Sequence, residues 1–387
     1  MPALRDEGGP LIVGILPALG SGLTDLKRSG QHERLLGYDL AHYAKVADEV
    51  RYFSYFDERL ADFTADPRVL ARVRVYPKPR GVPPRAYATL MPLLLGRALA
   101  ECRVVRVEQF TGVLPALLTR LLHGRPFVVT YGYDYDTVAE ATGAAWKRWY
   151  FEWLRRIALP RAAGIIVPNP ELRDRLQARW PGARYLDVPN GVDVAQFAPA
   201  AHGADGREVP TVLYVGRLSA EKNLLRLVEA VARIGDASIR LALVGDGPMA
   251  PHLAERARAE HVWLELMGVV PHHRLPALFA QSDCFVLPSL TEGHPKALIE
   301  AMSCGMACAV SDRGGNRLLV RDGDTGLRFD PEDVVAMAGC IRRLLTDRTL
   351  AARLGKAARE RMLADYDIHR LMEREIGFVL EASGAHT

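Results

Sequence analysis

At 387 residues the chain is longer than one hydrophobic core usually serves, so two domains are expected. It is 49% hydrophobic and 25% charged, which excludes a disordered chain, and no apolar run approaches membrane-spanning length. The net charge of +4 is uneven: residues 1–188 carry 27 basic against 20 acidic residues, a net of +7, and the remainder 23 against 26, a net of −3. A basic first half suits anionic lipid, an acidic acceptor or nucleic acid, and nucleic acid ranks last because no nucleic-acid motif accompanies the charge.

Leu11 to Leu16 is the first buried strand, followed by a glycine loop, Gly20-Ser21-Gly22, that lacks the spacing of a dinucleotide fingerprint. Gln31 to Ala47 has mixed helical periodicity and is placed over the site. Strands are expected at Val50–Tyr55, Val104–Val107, Phe127–Val129, Ile165–Val167 and Tyr185–Val188, with helices such as Tyr87–Leu99 and Val113–Leu122 between them. Alternation of this kind means a parallel sheet covered on both faces, with ligands beyond the C-terminal strand ends. Two such ends draw attention: Glu108-Gln109, and Tyr131-Gly132-Tyr133-Asp134. The segment Trp146–Ile157 mixes Lys147, Arg148, Arg155 and Arg156 with Trp149, Tyr150, Phe151 and Trp153. With Trp146 itself the segment has five aromatic residues, and it is either an amphipathic helix packed on its own domain or a membrane-surface contact.

Pro189-Asn190-Gly191-Val192-Asp193 closes this block, and 189–208 forms an Ala-, Gly- and Pro-containing linker before a second domain over 209–367. Thr211–Val215 is its first strand. The loop after it, Gly216-Arg217-Leu218-Ser219-Ala220-Glu221-Lys222-Asn223, leads to a helix through Ile234, which places Lys222 in the first helical turn. Cations are unusual there because the helix dipole opposes them, and a bound anion offsets that repulsion. The alternative is a pair of solvated surface cations. Further strands at Arg240–Val244, Val262–Leu266, Cys284–Leu287 and Ala307–Val310 end in turns, including Gly245-Asp246-Gly247-Pro248, Gly268-Val269-Val270-Pro271 and Gly314-Gly315. Helices follow at Pro331–Leu345, Leu350–Leu363 and Ile368–Leu380, the last expected to cross back to the first domain.

The organising stretch is Thr291 to Met302. Pro295 suits the first position of a helix, Gly293 allows a sharp turn, and the amides from Gly293 to Lys296 then favour an anion. Glu292 and Glu300 flank that anion site, with about 7.5 Å of helical rise between Pro295 and Glu300. Carboxylates accept hydrogen bonds from hydroxyls. Amides for phosphate beside carboxylates for hydroxyls describe a receptor for a nucleotide-sugar, while the bland alternative is a surface corner with two glutamates.

These residues together resemble the retaining family 4 glycosyltransferases of GT-B fold. The resemblance is carried by Gly216-Arg217 with Lys222-Asn223, Val244 to Pro248, Glu292 through Glu300 with Ala301-Met302, the hinge-like Pro189 to Asp193 with Phe197, and the loop Asp322-Gly323 with Thr325-Gly326-Leu327. It implies two Rossmann-like α/β domains whose parallel sheets face an interdomain cleft. It also implies a donor-binding set of Gly216, Gly245, Val269, Val270, Gly293, His294, Pro295, Lys296 and Glu300, with Arg217, Lys222 and Glu292 in the catalytic roles. Glu300 would take the ribose hydroxyls, and backbone near Val269 and Val270 the base. Gly20, Ser21, Gly22, Tyr131 and Asp134 are the acceptor-side candidates of the first domain. Three positions depart from the family pattern: Tyr131 stands where a histidine is common, Leu318 where a glutamate is common, and His294 where phenylalanine is frequent.

The expected reaction moves a sugar from a nucleoside-diphosphate sugar, UDP by default with GDP and ADP open, to a saccharide or lipid-linked hydroxyl with retention of configuration. No cofactor and no required metal are expected, the cations taking the place of a metal. The alternatives are a nucleotide-sugar-binding protein without transfer, or an epimerase or phosphorylase of similar fold. A nucleoside triphosphatase is disfavoured because no G-x4-G-K-[ST] loop occurs. Five cysteines without a C-x-x-C pair, and an N-terminus too short and acidic for a signal peptide, point to a reducing cytoplasm, with peripheral contact at the inner membrane face.

Overall fold

The computed structural model describes residues 9–28, 31–132, 145–199 and 209–384, with backbone only for 145–148. The chain divides into two compact units, one of residues 1–189 with 369–387 and one of residues 190–368.

Unit 1 holds a seven-stranded sheet of order β3-β2-β1-β4-β5-β6-β7, parallel throughout. Its strands are β1 (Ile12–Leu16), β2 (Glu49–Phe53), β3 (Val73–Tyr76), β4 (Val104–Val107), β5 (Phe127–Thr130), β6 (Gly164–Val167) and β7 (Tyr185–Asp187). The inner strands are mostly apolar, as a sheet covered on both faces requires, with Arg51 in β2 and Arg106 in β4 as buried exceptions. Their side chains are buried almost completely, each Val or Ile contributing about 1.5–3 kcal/mol. One face packs Leu16, Phe53, Val105, Val107, Phe127 and Val129 against the helices Pro84–Leu94, Val113–His123 and Ala145–Ala158. The other face carries a polar row: Tyr52, Ile15 and Arg106 are cross-strand neighbours. Arg106 Nε donates to Glu375 on the C-terminal helix Ile368–Ala382 (2.8 Å) and Nη2 to Thr130 (2.6 Å).

Unit 2 holds a six-stranded parallel sheet of order β10-β9-β8-β11-β12-β13. These strands are β8 (Thr211–Val215), β9 (Arg240–Val244), β10 (Trp263–Gly268), β11 (Cys284–Leu287), β12 (Cys308–Ser311) and β13 (Leu327–Phe329). In both sheets the chain runs outward from the first strand, then returns to that strand's other side. The order therefore reverses between β1 and β4, and again between β8 and β11. Crevices at such reversals are where open parallel sheets bind ligands.

The sequence-based reading needs several corrections. β3 and β13 were not expected: the first is an alternating edge strand and the second has three residues. The helix expected over Tyr87–Leu99 is two helices, Pro84–Leu94 and Gly96–Ala100. The Gln31–Ala47 segment contains a π-helical stretch, Leu35–Leu40, which explains its mixed periodicity. Lys222 is not in a helical first turn. It ends a 3₁₀ turn, Ala220–Lys222, because Asn223 takes the left-handed conformation (φ 57°) and the helix begins at Leu224. Pro295 is the cap, and the helix runs Lys296–Ser303.

Candidate functional site

The site builds up at the β8/β11 reversal of unit 2. The loop after β8 is stitched to that after β9: Gly216 N donates to Val244 O (2.9 Å) and Leu218 N to Asp246 O (2.9 Å). Gly245, at φ +130°, lies so close to Gly216 that a Cβ would stand 1.9 Å from the Gly216 carbonyl oxygen, so no other residue fits. A further bond, Gly245 N to Gly268 O (2.7 Å), brings in the loop after β10. Leu290 N, after β11, donates to Glu221 O (2.9 Å). Four strand-end loops thus share one edge.

Across that edge Lys222 Nζ meets Glu292 Oε1 at 2.6 Å, and Ser289 Oγ donates to the same oxygen at 2.7 Å. Asn223 fixes the turn by donating to Pro331 O (2.8 Å) and Pro288 O (3.2 Å). Arg217 is exposed beside it, its carbonyl held by the Tyr214 hydroxyl (2.9 Å). The Glu292–Gly293 loop rests on Gly314-Gly315: Gly315 N donates to Glu292 O (2.8 Å), and a Cβ on Gly315 would stand 2.1 Å from Gly293 O. Gly293 itself is open, with no atom within 4 Å of a Cβ placed there.

The helix Lys296–Ser303 has no side-chain cap. No capping side chain therefore competes with an anion for the positive end of its dipole. Glu300, 8% exposed, points back along that helix, with His272 Nε2 2.8 Å from its Oε1. Val269 is exposed and Val270 half-buried just before His272. His294 stacks on Tyr366, ring centroids 5.8 Å apart, and its carbonyl accepts from Asn190 (2.8 Å). Leu318 is partly exposed, while Asn316 of the same short helix is buried and donates to Ser311 (2.9 Å).

Sequence reasoning missed His272 and Ser289 as structural partners, and it named Asn223 only beside Lys222, without the turn it fixes. His272 directly follows the Val269-Val270-Pro271 turn and Ser289 stands two residues after β11, so position was the available signal.

The acceptor-side candidates of unit 1 are placed differently. The helix that follows Gly20-Ser21-Gly22 starts at Leu23, and the Glu58 carboxylate already covers its start. Leu23 N (2.9 Å), Thr24 N (2.7 Å) and Thr24 Oγ1 (2.8 Å) all donate to it, as does Ser54 Oγ (2.5 Å). Tyr131 is 1% exposed and its hydroxyl accepts from Arg155 (2.9 Å), so it faces the core. Asp134 lies outside the described residues. Glu108, at the end of β4, is half-buried. Burial, and then the Asp39 carboxylate, push it up to about 8.

Among the described residues no group of three or more His, Cys, Asp or Glu side chains could hold a metal ion, and no helix is long and apolar enough to cross a membrane. All five cysteines are free, and burial raises their thiols.

Comparison with known proteins matches residues 200–361 to a family described as glycosyl transferases group 1, and residues 36–191 to a glycosyl transferase 4-like domain. An alpha-maltose-1-phosphate synthase of Mycolicibacterium smegmatis is 28% identical over 299 residues, covering 69% of this chain and 76% of that protein. An Escherichia coli UDP-Gal:alpha-D-GlcNAc-diphosphoundecaprenol alpha-1,3-galactosyltransferase is 28% identical over 285 residues, covering 68% and 71%. Among solved structures, the sucrose-phosphate synthase of Thermosynechococcus elongatus superposes with a TM-score of 0.75 at 22% identity, covering 97% of this chain and 100% of that one. Anabaena HepE in complex with UDP superposes with a TM-score of 0.74 at 16% identity, covering 95% and 98%.

Proposed function

The chain belongs to the family 4 glycosyltransferases of GT-B fold, and from that premise we propose that unit 2 binds a UDP-sugar and that the sugar is transferred with retention to a saccharide or lipid-linked hydroxyl. One observation carries the donor assignment: an uncapped helix start at Lys296 stands beside the Lys222–Glu292 pair at the sheet's reversal point. Departure of the nucleotide builds negative charge on the diphosphate. Lys222, Arg217 and the amides of Gly293 to Ala297 stabilise that charge where it develops. Glu292 accepts from hydroxyls of the transferred sugar once Lys222 turns to phosphate. Glu300, held by His272, accepts from the ribose hydroxyls, and the Val269–Val270 backbone meets the base. The fixed positive groups take the part a metal ion plays elsewhere, so turnover proceeds without one.

The choice of UDP is supported by HepE, solved with UDP, and by the galactosyltransferase, whose name specifies a UDP donor and a lipid-diphosphate acceptor. A lipid-linked acceptor is further supported by unit 1. Its helices Pro84–Leu94, Val113–His123 and Ala145–Ala158 pack on one another and leave Leu93, Leu94, Leu121, Leu122, Trp149 and Trp153 exposed. Arg97 follows the first of these helices and Arg156 lies on the third; both are exposed, and each is ion-paired with a glutamate four residues away. Apolar and basic groups together suit an anionic bilayer, so we place the enzyme at the cytoplasmic membrane face.

Calorimetry with UDP, GDP and ADP, followed by incubation of the matching radiolabelled sugar nucleotides with free and polyprenyl-linked saccharides, tests the proposal. Selective UDP binding with labelled product is expected. Binding without any product rejects transfer, and no binding of any nucleoside diphosphate rejects the donor site.

A further inference from the structure

We propose that Glu108 is an acceptor-binding residue, its side chain taking a sugar hydroxyl at the β1/β4 reversal of unit 1. This rests on the transferase reading above but concerns a residue that reading leaves unused.

The first argument is topological. Glu108 follows β4 directly, and its N–H donates to Leu16 O at the end of β1 (2.9 Å), so the residue bridges the reversal point of its own sheet. In unit 2 the corresponding reversal, β8/β11, carries Lys222 and Glu292. A parallel sheet presents ligands at such a crevice because its central strand ends are not covered by connections there.

The second argument is hydrogen-bond accounting. Buried or half-buried polar groups are normally paired. Glu58, in the loop after β2, has four donors on its carboxylate. Arg106 is spent on Glu375, Thr130 and the Val107 carbonyl. The Glu108 side chain has no hydrogen-bond partner among the described residues, although the residue is half-buried. Tyr52, fully buried on the same sheet face, has a hydroxyl without a partner, and the carboxylate that acts on it most strongly is Glu108.

The third argument is rigidity. Gly112 N donates to Gln109 O (2.8 Å), and Gln109 packs over Gly132. Phe110 meets Tyr131 with ring centroids 5.2 Å apart. The loop bearing Glu108 is therefore pinned on both sides, and the missing partner is not explained by a loose loop. The Asp39 carboxylate and the Arg106 guanidinium act on Glu108 in opposite senses, and a neutral polyhydroxyl ligand suits a carboxyl placed between them. With its carboxyl pushed up to about 8, Glu108 is mostly protonated at neutral pH and both donates and accepts, as a sugar hydroxyl does.

The test uses the full chain saturated with UDP, and methyl α-D-glucopyranoside as probe in saturation-transfer NMR. Wild type should show transfer to the probe. E108L should lose at least fivefold of that signal, and E108Q, which still donates and accepts, should keep at least half of it. Neither variant removes a hydrogen bond the fold uses, and melting curves check that both are folded. UDP affinity, measured in parallel, should stay within twofold of wild type in both. An E108L signal within twofold of wild type overturns the proposal, as does an absent signal in wild type. Failure of wild type to bind UDP counts against the donor reading alone, since the probe is then measured without nucleotide.

Discussion

Removing the Lys222 ammonium tests the donor site most directly, provided its two consequences are separated. Lys222 and Glu292 are 2.6 Å apart, with side chains only 19% and 11% exposed. Lys222→Ala leaves the Glu292 carboxylate covered, with Ser289 as its remaining hydrogen bond. Breaking one partner of a fully buried pair costs about 3–5 kcal/mol, and the residual exposure here argues for about 2 kcal/mol. Loss of one preorganised charge-stabilising group costs about 10²–10³ in kcat, equal to about 2.7–4 kcal/mol of activation free energy. The double variant Lys222→Ala/Glu292→Gln removes the stranded charge and should regain most of the stability. It should regain none of the turnover, because the Lys222 charge is still missing and the exposed Arg217 alone is left to face the diphosphate. The assay pairs thermal melting with release of UDP from the sugar nucleotide the enzyme uses. Turnover of the folded double variant within threefold of wild type would refute the assignment of Lys222 to the leaving group.

Gly293→Ala introduces a methyl that meets no protein atom within 4 Å, so melting should shift by less than about 1 °C. UDP affinity should nonetheless fall about tenfold by calorimetry, from steric exclusion at the anion site. Glu108 carries a pH signature. Its folded value is raised from 4.5 to about 8, so the stability it contributes is complete below about 4.5 and is lost as pH rises through 8. A full shift corresponds to about 4.8 kcal/mol, and partial exposure reduces this to about 1–3 kcal/mol. E108Q should therefore gain on wild type in denaturant titrations between pH 5 and 8.5, and parallel curves would contradict the burial of that carboxyl. Transfer activity should survive EDTA at more than half its starting rate, and restoration by magnesium after a collapse would assign the charge stabilisation to a metal. Leu93→Asp with Trp149→Asp should cut sedimentation with phosphatidylglycerol vesicles at least fivefold while UDP binding is unchanged. Equal sedimentation would place the membrane contact elsewhere.

Unit 2 was the more legible half because its site is local in sequence. Glu292, Gly293, Pro295 and Glu300 sit within nine residues on one loop and one helix, and helical geometry alone relates them. The β8 loop was legible in composition but not in conformation. Ala220-Glu221-Lys222 has ordinary helical composition, and only the left-handed Asn223 shows that the helix starts two residues later. That shift changes the physical account of Lys222. It does not oppose a helix dipole but faces a carboxylate 70 positions away, a partner no periodicity could identify. The link from Glu300 to His272 is long-range in the same way. The edge strands β3 and β13 escaped because a four-residue alternating run and a three-residue run carry too little pattern to stand out.

In unit 1 the same sheet logic gives a different outcome. Both units have a loop and a helix after the first strand of the sheet, and the glycines of Gly20-Ser21-Gly22 would suit an anion if that helix start were open. Glu58 closes it: a carboxylate with four donors repels phosphate and leaves no amide of Leu23 or Thr24 to receive one. The helix at Lys296 has no such plug. Two sheets with the same order reversal are thus distinguished by one side chain, 35 residues from the amides it blocks. The asymmetry agrees with the proposal that the charged donor binds unit 2 and uncharged hydroxyls meet unit 1, where the Glu108 side chain stands at the reversal point. Replacing Glu58 by glutamine should not convert unit 1 into a second diphosphate site, because the six-residue helix Leu23–Arg28 is too short to offer the dipole that the Lys296 helix does.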